Sequence, residues 1–155
     1  MLFRSLGLFP AEVSRQPVTA VGYLEDGSPE PFQNPATYGA AGGLFGTAKD
    51  VLAWDAALLS HQLLSPEVTA RMFTPEPHLY GEALGSWSYE LVLPGEQRVR
   101  LVERQGEIGG TRLLNLVSFD QRLAVVILAN TERANLFKTY SREGLGYELV
   151  AAALR

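Results

Sequence analysis

The sequence predicts an α+β protein with an antiparallel sheet of about three to five strands, a C-terminal helix packed against it, and two helices in the N-terminal half. Three observations support this prediction. Apolar residues follow Thr47 and Ser65 at helical spacing, residues 87–101 alternate between apolar and polar, and residues 123–129 form an uninterrupted apolar run. The alternation on both sides of the turn at Pro94-Gly95 indicates an antiparallel hairpin, so the sheet is predicted to be antiparallel.

Both predicted helices have start signals. Thr47 and Asp50 have the spacing of a capping box, and the apolar face that follows predicts a helix to about Ser60. Ser65-Pro66 is an N-cap followed by a proline at the first helical position, so a second helix begins there and ends before Pro75. Nothing in either helix points to chemistry.

Loop signals precede the first helix. Residues 17–24 are strand-like, and the turn around Asp26-Gly27 predicts a short, irregular hairpin. Gly42-Gly43 marks a position where the backbone bends sharply or lies close to another element.

The second half predicts a series of strands. The turn Pro94-Gly95 joins two alternating segments into a hairpin with one exposed face, and residues 112–119 and 122–130 flank a further turn. The run Leu123–Ala129 predicts a central strand that is covered on both faces. Residues 136–154 are predicted to be helical, with a break at Gly144-Leu145-Gly146.

Composition limits the function classes. A chain of 155 residues with 46% hydrophobic residues predicts one soluble domain over residues 1–155. The 13 basic residues are scattered among 17 acidic ones, which excludes the positive surface of a nucleic-acid-binding protein. The N-terminus is too short for a secretory signal, no apolar run is long enough to cross a membrane, and the compartment stays open.

No cofactor or metal site is predicted. The chain has no Cys and no His pair at metal-ligand spacing, and Gly144-x-Gly146 lacks the third glycine of a dinucleotide-binding turn. We interpret His61 as a cation at the C-terminal end of the first helix rather than as a catalytic group. Large aromatic residues such as Trp54 and Trp87 are interpreted as core.

The order of these segments resembles the C-terminal half of the serine β-lactamase-like hydrolases, which include class C β-lactamases, penicillin-binding D-alanyl peptidases and related esterases. The resemblance rests on the opening Leu-Phe-Arg-Ser-Leu-Gly-Leu, on residues 41–50 before a Trp-bearing helix, on Gly106-Glu107-Ile108-Gly109-Gly110, and on residues 125–130. It covers nearly the whole chain and implies a partial β-lactamase-like fold and a family chemistry of acyl transfer.

The family's catalytic motifs are absent from this sequence. The resemblance implies a Ser-x-x-Lys nucleophile motif, a Tyr-x-Asn or Ser-x-Asn element, and a Lys or His followed by x-Gly on a strand. The residues three places before Lys49 and Lys138 are not serine, so Ser-x-x-Lys is absent. No Tyr or Ser has an Asn two places later, and no Lys or His has a Gly two places later. No catalytic residue is therefore assigned, and the chain is expected to begin partway through the complete fold.

The resemblance assigns one stretch to the wall of the substrate cleft, which consists of Gly106, Glu107, Ile108, Gly109 and Gly110. Glu107 has two interpretations. In the functional one, it reverses the substrate preference or acts as an acid or base. In the other, it is a solvated carboxylate near the end of a strand.

Two functions remain open. In the first, the chain is the C-terminal portion of a β-lactamase-like serine hydrolase acting on β-lactams, D-alanyl peptides or esters, and it is inactive without a complementary N-terminal segment. In the second, it is a noncatalytic module that self-associates or binds a partner through the edge of its sheet.

Overall fold

The computed structural model describes residues 20–31, 38, 41–42, 44 and 46–155. Its elements in chain order are α1 (Ala48–Leu59), α2 (Pro66–Met72), β1 (Glu82–Ala83), β2 (Ser86–Val92), β3 (Arg98–Ile108), β4 (Thr111–Ser118), β5 (Leu123–Ala129) and α3 (Gly144–Ala153). The five strands form one antiparallel sheet in the order β1-β2-β3-β4-β5. The predicted fold class, a partial β-lactamase-like α+β fold, is confirmed.

The caps of the first two helices are those that the sequence predicted. The side chain of Thr47 accepts a hydrogen bond from the Asp50 backbone N–H at 3.3 Å, and Asp50 Oδ2 accepts one from the Thr47 N–H at 3.0 Å. Ser65 Oγ accepts from the Val68 N–H at 3.3 Å, with Pro66 at the first helical position. Both helix starts are therefore set by local side-chain chemistry.

The core lies on both sides of the sheet. On one face, α3 and the turns before it cover the buried leucines of β2, β3 and β4, with Val150 of α3 fully buried at the centre. On the other face, α1 and α2 contribute Leu58 and Phe73, which pack with Val102 and Val117. The sheet is therefore a middle layer between helices.

The run Leu123–Ala129 is a strand, and within the described part of the chain it lies at an edge of the sheet rather than at the predicted central position. Among the described residues β5 pairs only with β4 and forms one edge of the sheet. The run is apolar because Val125 and Ile127 face the α3 core while Ala124 faces the α1 side. An uninterrupted apolar run therefore indicates that both faces of a strand are covered. It does not indicate that the strand has a neighbour on each side.

The tail also differs from its prediction. Residues 131–143 form turns rather than a helix, and α3 begins at Gly144 instead of breaking there. A Cβ on Gly146 would lie 2.6 Å from both Leu114 Cδ2 and Thr139 Oγ1. This glycine therefore allows α3 to approach β4 closely, and that requirement outweighs its low helix propensity.

The loop signals before α1 are partly observed. An isolated bridge joins Tyr23 to Pro29 around the turn at Gly27, whereas residues 17–19 and Gly43 of the predicted segments lie outside the described residues. Within the described residues, no helix has the length and apolar character that a membrane span requires.

Candidate functional site: one edge of strand β3

The last part of β3 differs from the rest of the strand in its pairing. β2 pairs with β3 only as far as Glu103, while β4 pairs with it from Val102 to Ile108. Residues 104–108 therefore have a strand neighbour on one side only among the described residues. Their other side offers backbone N–H and C=O groups to which an extended ligand can hydrogen-bond.

Arg104 stands at the beginning of this unpaired edge. Its side chain is exposed, and its Cζ lies 5.8 Å from the centroid of the Trp87 ring, within reach of a cation–π contact. Two residues later Gly106, on the same face of the strand, has no side chain to block a ligand. Arg104-Gln105-Gly106 is thus a cation followed by x-Gly on a strand. The motif that the resemblance implies has Lys or His at the first position, so this arginine does not match it.

A buried hydrogen-bond cluster fixes the backbone beside Arg104. Glu103 is only 3% exposed, and its two carboxylate oxygens accept hydrogen bonds from the Tyr89 hydroxyl and from Gln105 Nε2. Burial, and then the hydrogen bond to Glu103 and its charge, raise the pKa of Tyr89. Tyr89 therefore stays protonated near neutral pH and serves as a donor, not as a base.

Glu107 faces the opposite side of the strand and is paired. Its Oε1 accepts hydrogen bonds from Nε and Nη2 of Arg112 at 3.2 and 3.0 Å, and the two residues are direct cross-strand partners. Arg112 also donates from Nη1 to the Ala134 carbonyl at 2.9 Å. The charge of Glu107 is therefore largely balanced, as expected for a strand-end carboxylate held by its neighbour.

Gly109 and Gly110 form the tight turn between β3 and β4. The Gly110 N–H donates to Glu30 Oε2 at 2.7 Å, and its carbonyl accepts from the Tyr23 N–H at 3.1 Å. A Cβ on Gly110 would lie 2.2 Å from the Tyr23 nitrogen. The turn thus needs glycine because the segment 20–31 packs directly on it.

The segment before α1 also reaches this end of β3. Ile108 Cδ1 lies 2.7 Å from where a Cβ would stand on Gly42. This confirms the prediction of a close approach at Gly42. Residues 106–110 and Gly42 are therefore neighbours in space, although the sequence separates them by more than sixty positions.

Thr69 and His61 do not form a well-formed pair of nucleophile and base. Thr69 Oγ1 and His61 Nδ1 are 3.4 Å apart, longer than the about 2.6–3.2 Å of a catalytic pair, and Thr69 is buried. The contact places the His61 ring against α2. No group of three or more His, Asp or Glu in the described part of the chain is arranged to hold a metal ion.

A buried polar contact joins α1 to the sheet. Asn115 Nδ2 on β4 donates to Asp55 Oδ1 at 2.9 Å, and burial raises the pKa of Asp55 to about 6. Asp55 Oδ2 and Asn115 Oδ1 are buried without a partner. A protonated Asp55 offers a donor suited to that amide oxygen, so the contact is chemically complementary when the carboxyl is neutral.

The described residues define a class of α+β fold in which one antiparallel sheet carries helices on both faces. The family profile described as Beta-lactamase matches residues 3–144. The chain therefore belongs to the β-lactamase family, as its resemblance implied.

Among solved structures, the chain is similar to an octameric penicillin-binding protein homologue from Pyrococcus abyssi. The two share 22% sequence identity with a TM-score of 0.66, over 84% of this chain and 31% of that one. The likeness supports the fold, and the chain spans less than a third of that protein's length. No curated protein sequence matches.

Proposed function

We propose that this chain is the C-terminal portion of a β-lactamase-like serine hydrolase and supplies one wall of its substrate cleft. The observation that supports this is the one-sided pairing of residues 104–108 of β3. An acyl substrate such as a β-lactam, a D-alanyl peptide or an ester would lie along that edge and hydrogen-bond to the backbone.

Arg104 gives the wall its charge. Arg104 is exposed and is the cation of the pattern cation-x-Gly on this strand. Its guanidinium would therefore bind an anionic group of the substrate, such as a carboxylate. Glu107 belongs to the other face and is held by Arg112, which leaves the edge without an opposing carboxylate at that position. The proposed wall is therefore cationic.

The nucleophile and base would come from elsewhere. Ser-x-x-Lys, Tyr-x-Asn and Ser-x-Asn are absent from the whole sequence, so this chain owns no activated hydroxyl of the family type. We expect the chain alone not to turn over acyl substrates.

Two measurements test this function. The purified chain is incubated with nitrocefin and with p-nitrophenyl butyrate, and intact mass is recorded after a fluorophosphonate; we expect no turnover and no adduct. Turnover or a covalent adduct would overturn the inactive part of the proposal. Binding is followed separately with benzylpenicillin by ¹⁵N NMR, and shifts should map to residues 104–110.

The matched variants for the binding test are Arg104→Gln and Arg98→Gln. Both remove one exposed arginine from the same strand, but Arg98 is engaged by Glu90 away from the unpaired edge. Arg104→Gln should weaken binding by about fivefold, as expected for a partly exposed charged hydrogen bond. Equal loss in both variants would argue against a cationic wall.

One observation favours a second function. Among the described residues β5 is an edge strand, and Leu128 on its α1-side face is 42% exposed. An apolar edge of this kind favours strand addition, so self-association or binding to a complementary segment through β5 is the alternative function. Light scattering across a concentration series distinguishes the two. A monomer at all concentrations would count against self-association.

A further inference from the structure

A cleft of about 270 Å³ lies at the other end of the sheet from the Gly109-Gly110 turn. It is enclosed by the end of α1, by α2, by β3 and by the turn between β4 and β5. Arg100 marks its position on β3, four residues and therefore about 13 Å along the strand from Arg104. No part of the proposed substrate wall contributes to it.

Two aromatic rings form the apolar side of the cleft. Phe73 from the end of α2 and Phe119 from the end of β4 have ring centroids 5.1 Å apart, with planes tilted by 34°. Leu59 and Val102 extend this surface. Such a surface suits a hydrocarbon or aryl group, because it removes apolar area from water on both partners.

Charged side chains also line the cleft. Arg100 is held in place by donating from Nη2 to the Phe73 carbonyl at 3.1 Å and from Nε to Ser88 Oγ at 3.4 Å. Arg122 follows at the β4–β5 turn, in a left-handed conformation with φ of 50°, and Asp120 is its neighbour in that turn. Two arginines and one aspartate leave a single positive charge among these three side chains, which a monoanion would balance.

Thr69 and His61 add further hydrogen-bonding groups to the lining of the cleft. Thr69 is 3% exposed, and its hydroxyl lies 3.4 Å from Nδ1 of His61. The hydroxyl and the imidazole can each donate or accept, so they can adapt to a carboxylate or to a water bound beside it. The lining of the cleft therefore combines aromatic rings, two arginines and adaptable polar groups.

We propose that this cleft, which we call the Phe73–Arg122 cleft, binds a small apolar monocarboxylate. The hydrocarbon part packs on Phe73 and Phe119, and the carboxylate bonds to Arg100 and Arg122. Because a water molecule takes about 30 Å³, a cleft of this size accommodates a ligand of roughly ten non-hydrogen atoms. Arylalkanoic acids fit both the size and the charge.

The probe is 3-phenylpropionate, and 3-phenylpropionamide is its uncharged counterpart. Both are titrated into the ¹⁵N-labelled chain, and backbone amide shifts are followed. We expect saturable shifts at Thr69, Phe73 and Phe119 with the carboxylate, and about fivefold weaker binding of the amide, since the latter loses the charged hydrogen bonds. Absence of saturable shifts at these positions, or equal affinities, would overturn the proposal.

Arg122→Gln and Arg98→Gln provide the matched protein variants. Arg122→Gln should weaken the carboxylate about fivefold and leave the amide unchanged, so the preference between the two ligands disappears. Arg98→Gln, whose partner Glu90 lies outside the cleft, should retain the preference. Thermal unfolding confirms that both variants fold. A preference that survives Arg122→Gln refutes the assigned role of the arginine.

Binding at the Phe73–Arg122 cleft and binding at the β3 edge are tested independently. Shifts at residues 104–110 with benzylpenicillin report the β3 edge, whereas shifts at Thr69, Phe73 and Phe119 with phenylpropionate report the Phe73–Arg122 cleft. Loss of either set leaves the other interpretable.

Discussion

The two faces of the sheet are built by different means. The α3 face is an apolar core in which Leu101 and Leu114 are fully buried. The α1 face has a smaller apolar cluster and includes the buried polar contact between Asp55 and Asn115. The comparison indicates that the apolar core of the α3 face stabilises the fold mainly through packing, whereas the attachment of α1 depends on the protonation of one carboxyl group.

Truncation of the α3 face should have the largest effect. Leu114→Ala removes a fully buried side chain that contacts the helix, and should lower the free energy of unfolding by about 2–5 kcal/mol at every pH. Chemical denaturation at pH 4 and pH 8 measures it. The exposed Leu145→Ala is the control and should cost less than about 1 kcal/mol. A Leu114→Ala cost that depends strongly on pH would contradict the contrast between the faces.

Gly146→Ala tests how closely α3 must approach β4. Alanine gains about 1 kcal/mol of helix propensity, but its Cβ would overlap Leu114 and Thr139, and overpacking of this kind costs about 1–3 kcal/mol. We expect a net loss of stability in thermal unfolding. Ala152→Gly at an exposed position of the same helix calibrates propensity alone. A stabilised Gly146→Ala variant would show that the helix moves away without penalty.

Asp55→Asn tests the α1 face. Burial raises the pKa of Asp55 to about 6 from an ordinary value of 3.8, so the folded state binds this proton more tightly than the unfolded state. The resulting stabilisation is complete below pH 3.8 and is lost as pH rises through 6. Asparagine keeps the shape and does not ionise. Relative to the natural chain it should be nearly neutral at pH 4 and more stable by about 1–3 kcal/mol at pH 8.

Urea unfolding between pH 4 and pH 8 provides this measurement. Glu148→Gln, an exposed carboxylate on α3, is the control and should follow the natural chain at each pH. If the advantage of Asp55→Asn did not grow with pH, the carboxyl would not be the group that couples α1 to protonation.

Glu107→Gln should have the smallest effect. The pair that it breaks with Arg112 is partly exposed, so the expected cost is about 0–1 kcal/mol. The same variant should leave benzylpenicillin binding unchanged, because Glu107 faces away from Arg104. A twofold or greater change in that affinity would revive the interpretation of Glu107 as a substrate-selecting group.

Local sequence predicted the elements well wherever the signal was itself local. Thr47 with Asp50 and Ser65 with Pro66 place the helix starts correctly, and the strand alternation from Trp87 onward gives the hairpin of β2 and β3. These signals succeed because caps and alternation depend on neighbours within a few residues. The resemblance to the family likewise rested on the order of such segments, and it is confirmed.

The failures lie where contacts are distant in sequence. The position of β5 at one edge depends on strand pairing, and the role of Gly146 depends on the approach of β4. The Asp55–Asn115 contact joins residues 60 positions apart, so no local pattern could reveal it. The Phe73–Arg122 cleft likewise assembles from four separate elements. By contrast, Arg104-Gln105-Gly106 is a local pattern in the sequence, but the resemblance implied Lys or His at its first position.

By itself, the sequence determined the α+β class, the helix starts, the strand periodicity and the lack of the family's nucleophile motifs, because each of these depends on residue types at short spacing. The tertiary structure alone decided which edge of β3 is unpaired, which carboxyl groups are buried, and which arginines line a cleft. Those properties arise from the meeting of distant segments, and burial and pairing are fixed only when the chain has packed.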